Sequence, residues 1–320
     1  MPTLDVIEFP DFAAVEAAAV RIAPYAQRTP VLRAHSLDAL AGAELIFKCE
    51  NLQRGGAFKF RGACNAVWSL TDAQAARGVV THSSGNHGAA LALAAHTRGI
   101  PAHVVVPTGA VKSKLVAIEA YGATLHRCAQ TMAAREAAAE QVRAQTGAAL
   151  VHPFTDPRVI AGQGTAALEL IRDTDGLDAL IAPVGGGGLI GGSAIVARAL
   201  YPKIAIYAAE PEGAADAYES LRRGTRVTDI TPDTICDGLR GGIGQINFEV
   251  LQKYAITVLT VADRDTVAAM RLIWAHLKLI VEPSAAIALA AILCHRDVFA
   301  GGRIGVILSG GNVDLDALPW

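Results

Sequence analysis

Aromatic residues are scarce in this chain: Phe, Trp and Tyr together make up 5% of 320 residues. Large rings therefore cannot build the interior. The 52% hydrophobic content has to pack through Ala, Val, Leu and Ile. Charge is thin as well, at 18% of residues and a formal balance of −2. No long basic run is present, so no nucleic-acid partner is expected. No uncharged apolar stretch reaches the roughly 20 residues of a membrane helix. The most apolar helical-looking segment, 285–294, is too short, so no membrane partner is expected. The start, Met1-Pro2-Thr3-Leu4-Asp5, has no basic region followed by an apolar one, which argues against a signal peptide. The five cysteines (Cys49, Cys64, Cys128, Cys236 and Cys294) form no CxxC pair and no zinc pattern. Scattered and odd in number, they suggest reduced thiols in a cytoplasmic protein.

What is present is a large core. The length suits one large domain or two ordinary ones. From residue 78 onward, short apolar runs alternate with segments of helical spacing. Strands are expected at Gly78–His82, Ala102–Val106, Thr124–Cys128, Ala149–His152, Ala179–Pro183, Ile204–Ala208 and Ile304–Leu308. Helices are expected at Gly85–Arg98, Lys112–Tyr121, Met132–Thr146, Val159–Asp173 and Leu189–Tyr201. Gly99-Ile100-Pro101, Gly122, Gly147 and Pro153 fall where such units turn. This is the signature of an α/β chain with mostly parallel, twisted sheets and helices on both faces. About ten strands fit two sheets better than one. The expected division is a small domain at 78–155 and a large one made of 1–77 plus 156–320, with a site in the crevice between them.

Three motifs carry chemistry. Gly55-Gly56-Ala57-Phe58-Lys59-Phe60-Arg61-Gly62-Ala63 places one lysine inside an apolar, glycine-rich run. Burial lowers a lysine pKa and makes a nucleophilic amine, and Schiff-base formation is one use of it. A stem that only snorkels over apolar surface is the alternative. Gly185-Gly186-Gly187-Gly188 follows the run Leu180–Val184 and opens a helix. Successive N–H groups there suit a phosphate, and no Lys-Ser/Thr ending marks a nucleoside triphosphate. A tight packing turn is the alternative. His82-Ser83-Ser84-Gly85-Asn86-His87-Gly88 also leads from a strand into a helix and suits a carboxylate, or supplies a simple cap by Ser84. Ser309-Gly310-Gly311-Asn312 leaves a strand end, where open α/β sheets bind ligands.

Taken together, these motifs resemble the fold-type II pyridoxal-phosphate enzymes of the serine racemase and serine/threonine dehydratase family, over about residues 10–318. Phe47-Lys48-Cys49-Glu50, Val151-His152-Pro153, Ala161-Gly162-Gln163-Gly164-Thr165, Ala209-Glu210-Pro211 and Glu282-Pro283-Ser284 extend the likeness. The resemblance implies pyridoxal 5'-phosphate on Lys59, which would also move the Cα proton. Phe58 would pack on the ring, Asn86 would bond its hydroxyl, and Ser309 would meet its nitrogen. Gly185, Gly186, Gly187, Gly188 and Leu189 would hold the phosphate, with Gly238 and Glu282 completing the pocket. Ser83, Ser84, Gly85, Asn86, His87 and Arg135 would surround the amino-acid substrate, and Ser84 would serve as the second proton-transfer group. Glu210, Ala214 and Asp216 match a divalent-cation site for Mg²⁺, Ca²⁺ or Mn²⁺.

A neutral serine at the ring nitrogen favours β-elimination over transamination. The resemblance therefore implies dehydration of serine, threonine or 3-hydroxyaspartate to a keto acid and ammonia, with racemase activity beside it, in a homodimer. A predominant serine racemase is the first alternative. A β-replacement synthase or a non-catalytic amino-acid binder ranks below it. Lys114, Tyr121 and Asn312 match the ATP site of animal members, but Ala89 replaces its glutamine. Ala57 and Phe154 also depart from the animal racemases, toward dehydratases. Arg240 is either a partner for a second substrate carboxylate or a surface charge.

Overall fold

The computed structural model describes residues 9–110 and 112–320. The leader reading at Met1–Asp5 and the side chain of Lys114 lie outside that description. Among the described residues ten strands form two sheets. The larger has the order β1 (Val31–Leu32), β2 (Glu44–Cys49), β10 (Arg303–Leu308), β7 (Ala179–Pro183), β8 (Ala205–Pro211), β9 (Thr257–Val261). Only the β1–β2 pair is antiparallel. The smaller sheet is wholly parallel, in the order β5 (Thr124–Cys128), β4 (Ala102–Pro107), β3 (Val79–Thr81), β6 (Ala149–Leu150).

The large sheet is buried on both faces, as parallel sheets require. Along β7, Leu180 and Ala182 enter one core while Ala179 and Ile181 enter the other. The first core packs against the helices Pro157–Arg172 and Gly188–Leu200, the second against Pro283–Cys294. The apolar segment 285–294 is thus a core helix. Among the described residues no helix is long and apolar enough to cross a membrane. Small residues let the helices approach closely. A Cβ on Gly162 would lie 2.6 Å from the Gly62 Cα, and one on Gly164 would lie 2.8 Å from the Gly192 carbonyl oxygen. That crossing seats the helix Lys59–Trp68 against its neighbour, and the Gly62 N–H donates to Gln163 Oε1 at 3.1 Å.

A buried ion cluster fixes the same helix from the other side. Arg61 donates to Glu50 at 2.6 Å and to Glu169 at 2.8 Å, and Lys48 donates to Glu169 at 2.6 Å. Arg61, Lys48 and Glu50 are fully buried. Removing one partner of such a set strands a buried charge, typically at a cost of about 3–5 kcal/mol. The landmarks at 47–50, 61 and 161–165 are therefore structural. They lock the start of the helix that presents Lys59.

Candidate active site

The carboxyl ends of the strands converge on one cleft of about 1690 Å³. β3 exits into 82–88, β7 into the four glycines and β10 into Ser309. Lys59, at the first position of its helix, reaches in from the third side. Its Nζ donates to the Pro153 carbonyl oxygen at 3.0 Å and lies 5.0 Å from the centre of the Phe58 ring. Burial pushes the ammonium down to about 8, against the opposing pull of the Glu282 carboxylate. An amine so placed is far more often neutral than an ordinary lysine, and the neutral form is the one that attacks a carbonyl.

Two helix starts face the same space. Gly187 is the N-cap of Gly188–Leu200 and Gly85 that of Asn86–Arg98, and neither helix has a side-chain cap. Ser84 is thus not a capping residue. Free N–H groups and the helix dipole at both starts suit anions. The glycines at the first start leave no room for Cβ atoms. One on Gly185 would lie 3.0 Å from the Leu239 Cα, one on Gly186 would overlap the Phe154 ring, and one on Gly187 would lie 2.6 Å from the Asn247 Cβ. Gly187 also sits at φ +91°, where a side chain is strained. At Gly85, by contrast, a Cβ would meet nothing within 4 Å among the described residues.

The cleft lining includes Phe58, Lys59, Ser83, Ser84, Gly85, Asn86 and His87, the four glycines, Leu189, Gly238, Glu282, Ser309 and Arg135. Asn86 donates to both Glu282 oxygens, at 3.0 and 3.2 Å, and accepts from Asn312 Nδ2 at 3.0 Å. Ser309 is buried, and its Oγ donates weakly to the Ser284 carbonyl at 3.4 Å. The Gly238 N–H donates to Ser284 Oγ at 3.0 Å. Arg135 Nε is buried without a hydrogen-bond partner among the described residues. Arg240 lines the cleft, but its Nε and Nη2 both donate to the Thr234 carbonyl, which holds the guanidinium on its own loop. Tyr121, Asn312 and Ala89 belong to the same lining.

Glu210 and Ala214 stand outside the cleft lining, and Asp216 sits at its edge. Glu210 is fully buried and accepts from the Ala217 and Tyr218 N–H groups at 2.8 Å each. Burial, chiefly, raises its pKa to about 8, and that of Asp216 to about 6. The Asp216 carboxylate adds to the rise at Glu210, so the two groups stand close enough to interact, and both Glu210 oxygens already accept backbone N–H groups.

Other groups were not anticipated. His82, Glu136 and His152 each bring one donor atom within 4.8 Å of the others. His152 Nδ1 accepts from the Thr155 and Phe154 N–H groups at 3.2 and 3.4 Å. The neutral ring therefore carries its proton on Nε2, which makes that nitrogen a donor and not a metal ligand. Burial, then the charges of His82 and Lys59, hold His152 neutral down to about pH 3. Asn247 is the other addition, bonded behind the glycine loop. No motif marks it, because its role depends on a helix that folds back on that loop from 60 residues downstream.

The family model described as "Pyridoxal-phosphate dependent enzyme" matches residues 22–310. A beta-hydroxyaspartate dehydratase of Paracoccus denitrificans is 48% identical, covering 97% of this chain and 99% of its own. A serine racemase of Arabidopsis thaliana is also 48% identical, covering 96% and 95%. Among solved structures, maize serine racemase superposes with a TM-score of 0.94 at 44% identity, covering 97% and 95%. The chain belongs to the pyridoxal-phosphate-dependent enzyme family, with the fold-type II architecture.

Proposed function

We propose that this enzyme dehydrates β-hydroxy amino acids such as serine, threonine or 3-hydroxyaspartate to a keto acid and ammonia, with racemase activity at the same site. The observation that carries the reading is one cleft that joins a lysine with a lowered pKa to two uncapped helix starts. Such a cleft accepts a carbonyl cofactor bearing a phosphate and a substrate bearing a carboxylate. The similarity to a dehydratase and to racemases supports both activities.

Pyridoxal phosphate fits the residues present. The four glycines keep the loop bare where a Cβ would press on Leu239, Phe154 or Asn247, and the Gly188–Leu200 helix start, without a side-chain cap, offers its N–H groups to a phosphate. When bound, the cofactor supplies an electrophilic carbonyl and an electron sink. The glycine loop and Leu189 would hold its phosphate, and Phe58, Asn86, Gly238, Glu282 and Ser309, which line the cleft, would meet its ring. Ser83 to His87 orient the substrate carboxylate at the second helix start, and Arg135 meets its distal polar group. Lys59 Nζ takes the Cα proton on its side and Ser84 serves the other. Loss of the Cα proton leaves the electron pair that expels the β-hydroxyl, which departs as water carrying the proton taken from Cα. Hydrolysis of the released enamine gives the keto acid and ammonia.

The reading also takes in Mg²⁺ or a related cation at Glu210, the Ala214 carbonyl and Asp216. It includes a homodimer in the cytoplasm, consistent with five free cysteines. It further assigns a small domain at 78–155 set against the remainder. The test is keto-acid release from D- and L-serine, L-threonine and the 3-hydroxyaspartate isomers, with the visible absorbance of the protein followed under borohydride. Lys59→Ala should abolish the visible band and nearly all turnover. Full turnover in that variant would overturn the proposal.

A further inference from the structure

We propose that Asn247 is a positioning residue that aims the phosphate loop and ties it to the segment holding Lys59, an inference that rests on the cofactor reading above. Asn247 is fully buried in the first turn of the helix Gln245–Lys253. Its Nδ2 donates to the Gly186 carbonyl at 2.6 Å and to the Phe154 carbonyl at 2.8 Å. Both amide protons are therefore in use. The Gly244 N–H adds a second bond to the Gly186 carbonyl at 3.2 Å.

Peptide geometry turns these contacts into an orientation. Among the described residues every peptide bond is trans, so the C=O and the following N–H point in opposite directions. Gly186 and Gly187 line the cleft, whereas Asn247 lies behind them and does not. Drawing the Gly186 carbonyl back toward Asn247 turns the Gly187 N–H forward into the cleft, where an anion would sit. Gly187 is also the helix N-cap, so the same contact sets the first free donor of that helix start.

The second bond reaches the other end of the cofactor space. Phe154 follows Pro153, whose carbonyl accepts from Lys59 Nζ. One side-chain amide thus fixes the phosphate anchor relative to the lysine anchor. A cofactor held at both ends requires that spacing to be constant. Asn247 Oδ1 is buried with no hydrogen-bond partner among the described residues. The side chain therefore sits there for its donors. A flipped amide would set oxygen against two carbonyls, so the orientation has a single solution.

The experiment compares wild type, Asn247→Ala and the isosteric Asn247→Asp as holoenzymes. The readouts are the ³¹P resonance of the bound cofactor, its retention on dilution, and the visible band. A carboxylate cannot donate to either carbonyl and also repels a phosphate. The ³¹P resonance should shift in both variants. Retention should weaken about tenfold in the Ala variant, the effect of one net hydrogen bond, and further in the Asp variant. The visible band should persist in the Ala variant, because Lys59 is intact. Where the truncated side chain prevents folding, the Asp variant keeps the shape and carries the test. Unchanged ³¹P resonance and retention beside a normal wild-type band would overturn the role of Asn247 alone. A wild-type protein with no band would overturn the cofactor reading and this inference with it.

Discussion

Adding one methyl group at Gly186 tests whether the glycine loop is shaped by Phe154. In Gly186→Ala the new Cβ would overlap Cγ, Cδ1 and Cδ2 at the base of the Phe154 ring. The ring is braced on one side, and its backbone is tethered. His152 packs edge-on against it at 4.6 Å between centroids, and Asn247 holds the Phe154 carbonyl. Gly186 is not among the residues with positive φ, so backbone strain does not confound the substitution. Overpacking a filled site costs about 1–3 kcal/mol. Phe154→Ala alone should cost less than the roughly 3–5 kcal/mol of a core Phe truncation, because this residue is only half-buried. In the double variant the methyl enters space the ring has left. The two effects should therefore fall short of their sum by about 1–3 kcal/mol, a coupling typical of residues in contact. Urea denaturation of the cofactor-free protein, followed by circular dichroism, gives all four corners of the cycle. A Gly186→Ala variant within about 0.5 kcal/mol of wild type, or additive effects in the double variant, would refute the contact as a determinant of the loop.

Three further outcomes are expected. The unfolded chain protonates His152 near pH 6.5, whereas the folded ring resists down to about 3, so stability is complete above 6.5 and falls as pH drops below it. The slope for this one ring should reach up to about 1.4 kcal/mol per pH unit, and His152→Asn should flatten urea midpoints measured between pH 7.5 and 5. EDTA should lower the melting temperature or activity, and Asp216→Ala should remove the response to added Mg²⁺; an unchanged response would argue against a functional cation site. Ser84→Ala should cut racemisation, and elimination from the enantiomer whose proton faces Ser84, by about 10²–10⁴-fold. Equal losses for both enantiomers would assign Ser84 to substrate binding instead.

The alternation from residue 78 onward was legible because each βα unit buries a continuous apolar strand and a periodic helix. Thr124–Cys128, Met132–Thr146 and Ala179–Pro183 appear with the expected bounds. β8 runs on to Pro211, three residues past the expected end, because β9 pairs with it as far as Pro211–Val261. β1, β2 and β9 have no counterpart in the expected set. β1 is two residues long, and β2 and β9 lie outside the regular alternation. What gives them meaning is pairing across the sheet: β2 meets β10, some 260 positions away. That distance is invisible to local pattern.

The site was legible wherever a motif is contiguous and illegible wherever it is assembled across the fold. Lys59, the four glycines and Ser83 to His87 are runs whose residue types already state a chemistry. A missing side-chain cap alone does not single out the two cleft-facing helices, since His35–Ala41 and Asp263–Leu277 also lack one. What distinguishes the start at Gly188 is the density of glycine before it, and density is a sequence property. Asn247 carries no such mark, and His152 and Phe154 stood out only through the family resemblance, without the contacts they make. Each acts through a partner elsewhere in the chain: His152 beside His82, Phe154 filling the space above Gly186, and Asn247 bonded to the Gly186 carbonyl. The glycine run states that something must approach closely. Only the fold shows which protein atoms press on it: Leu239 on Gly185, Phe154 on Gly186 and Gly188, and Asn247 on Gly187. Those contacts explain why side chains are excluded at Gly185, Gly186 and Gly187 and crowded at Gly188.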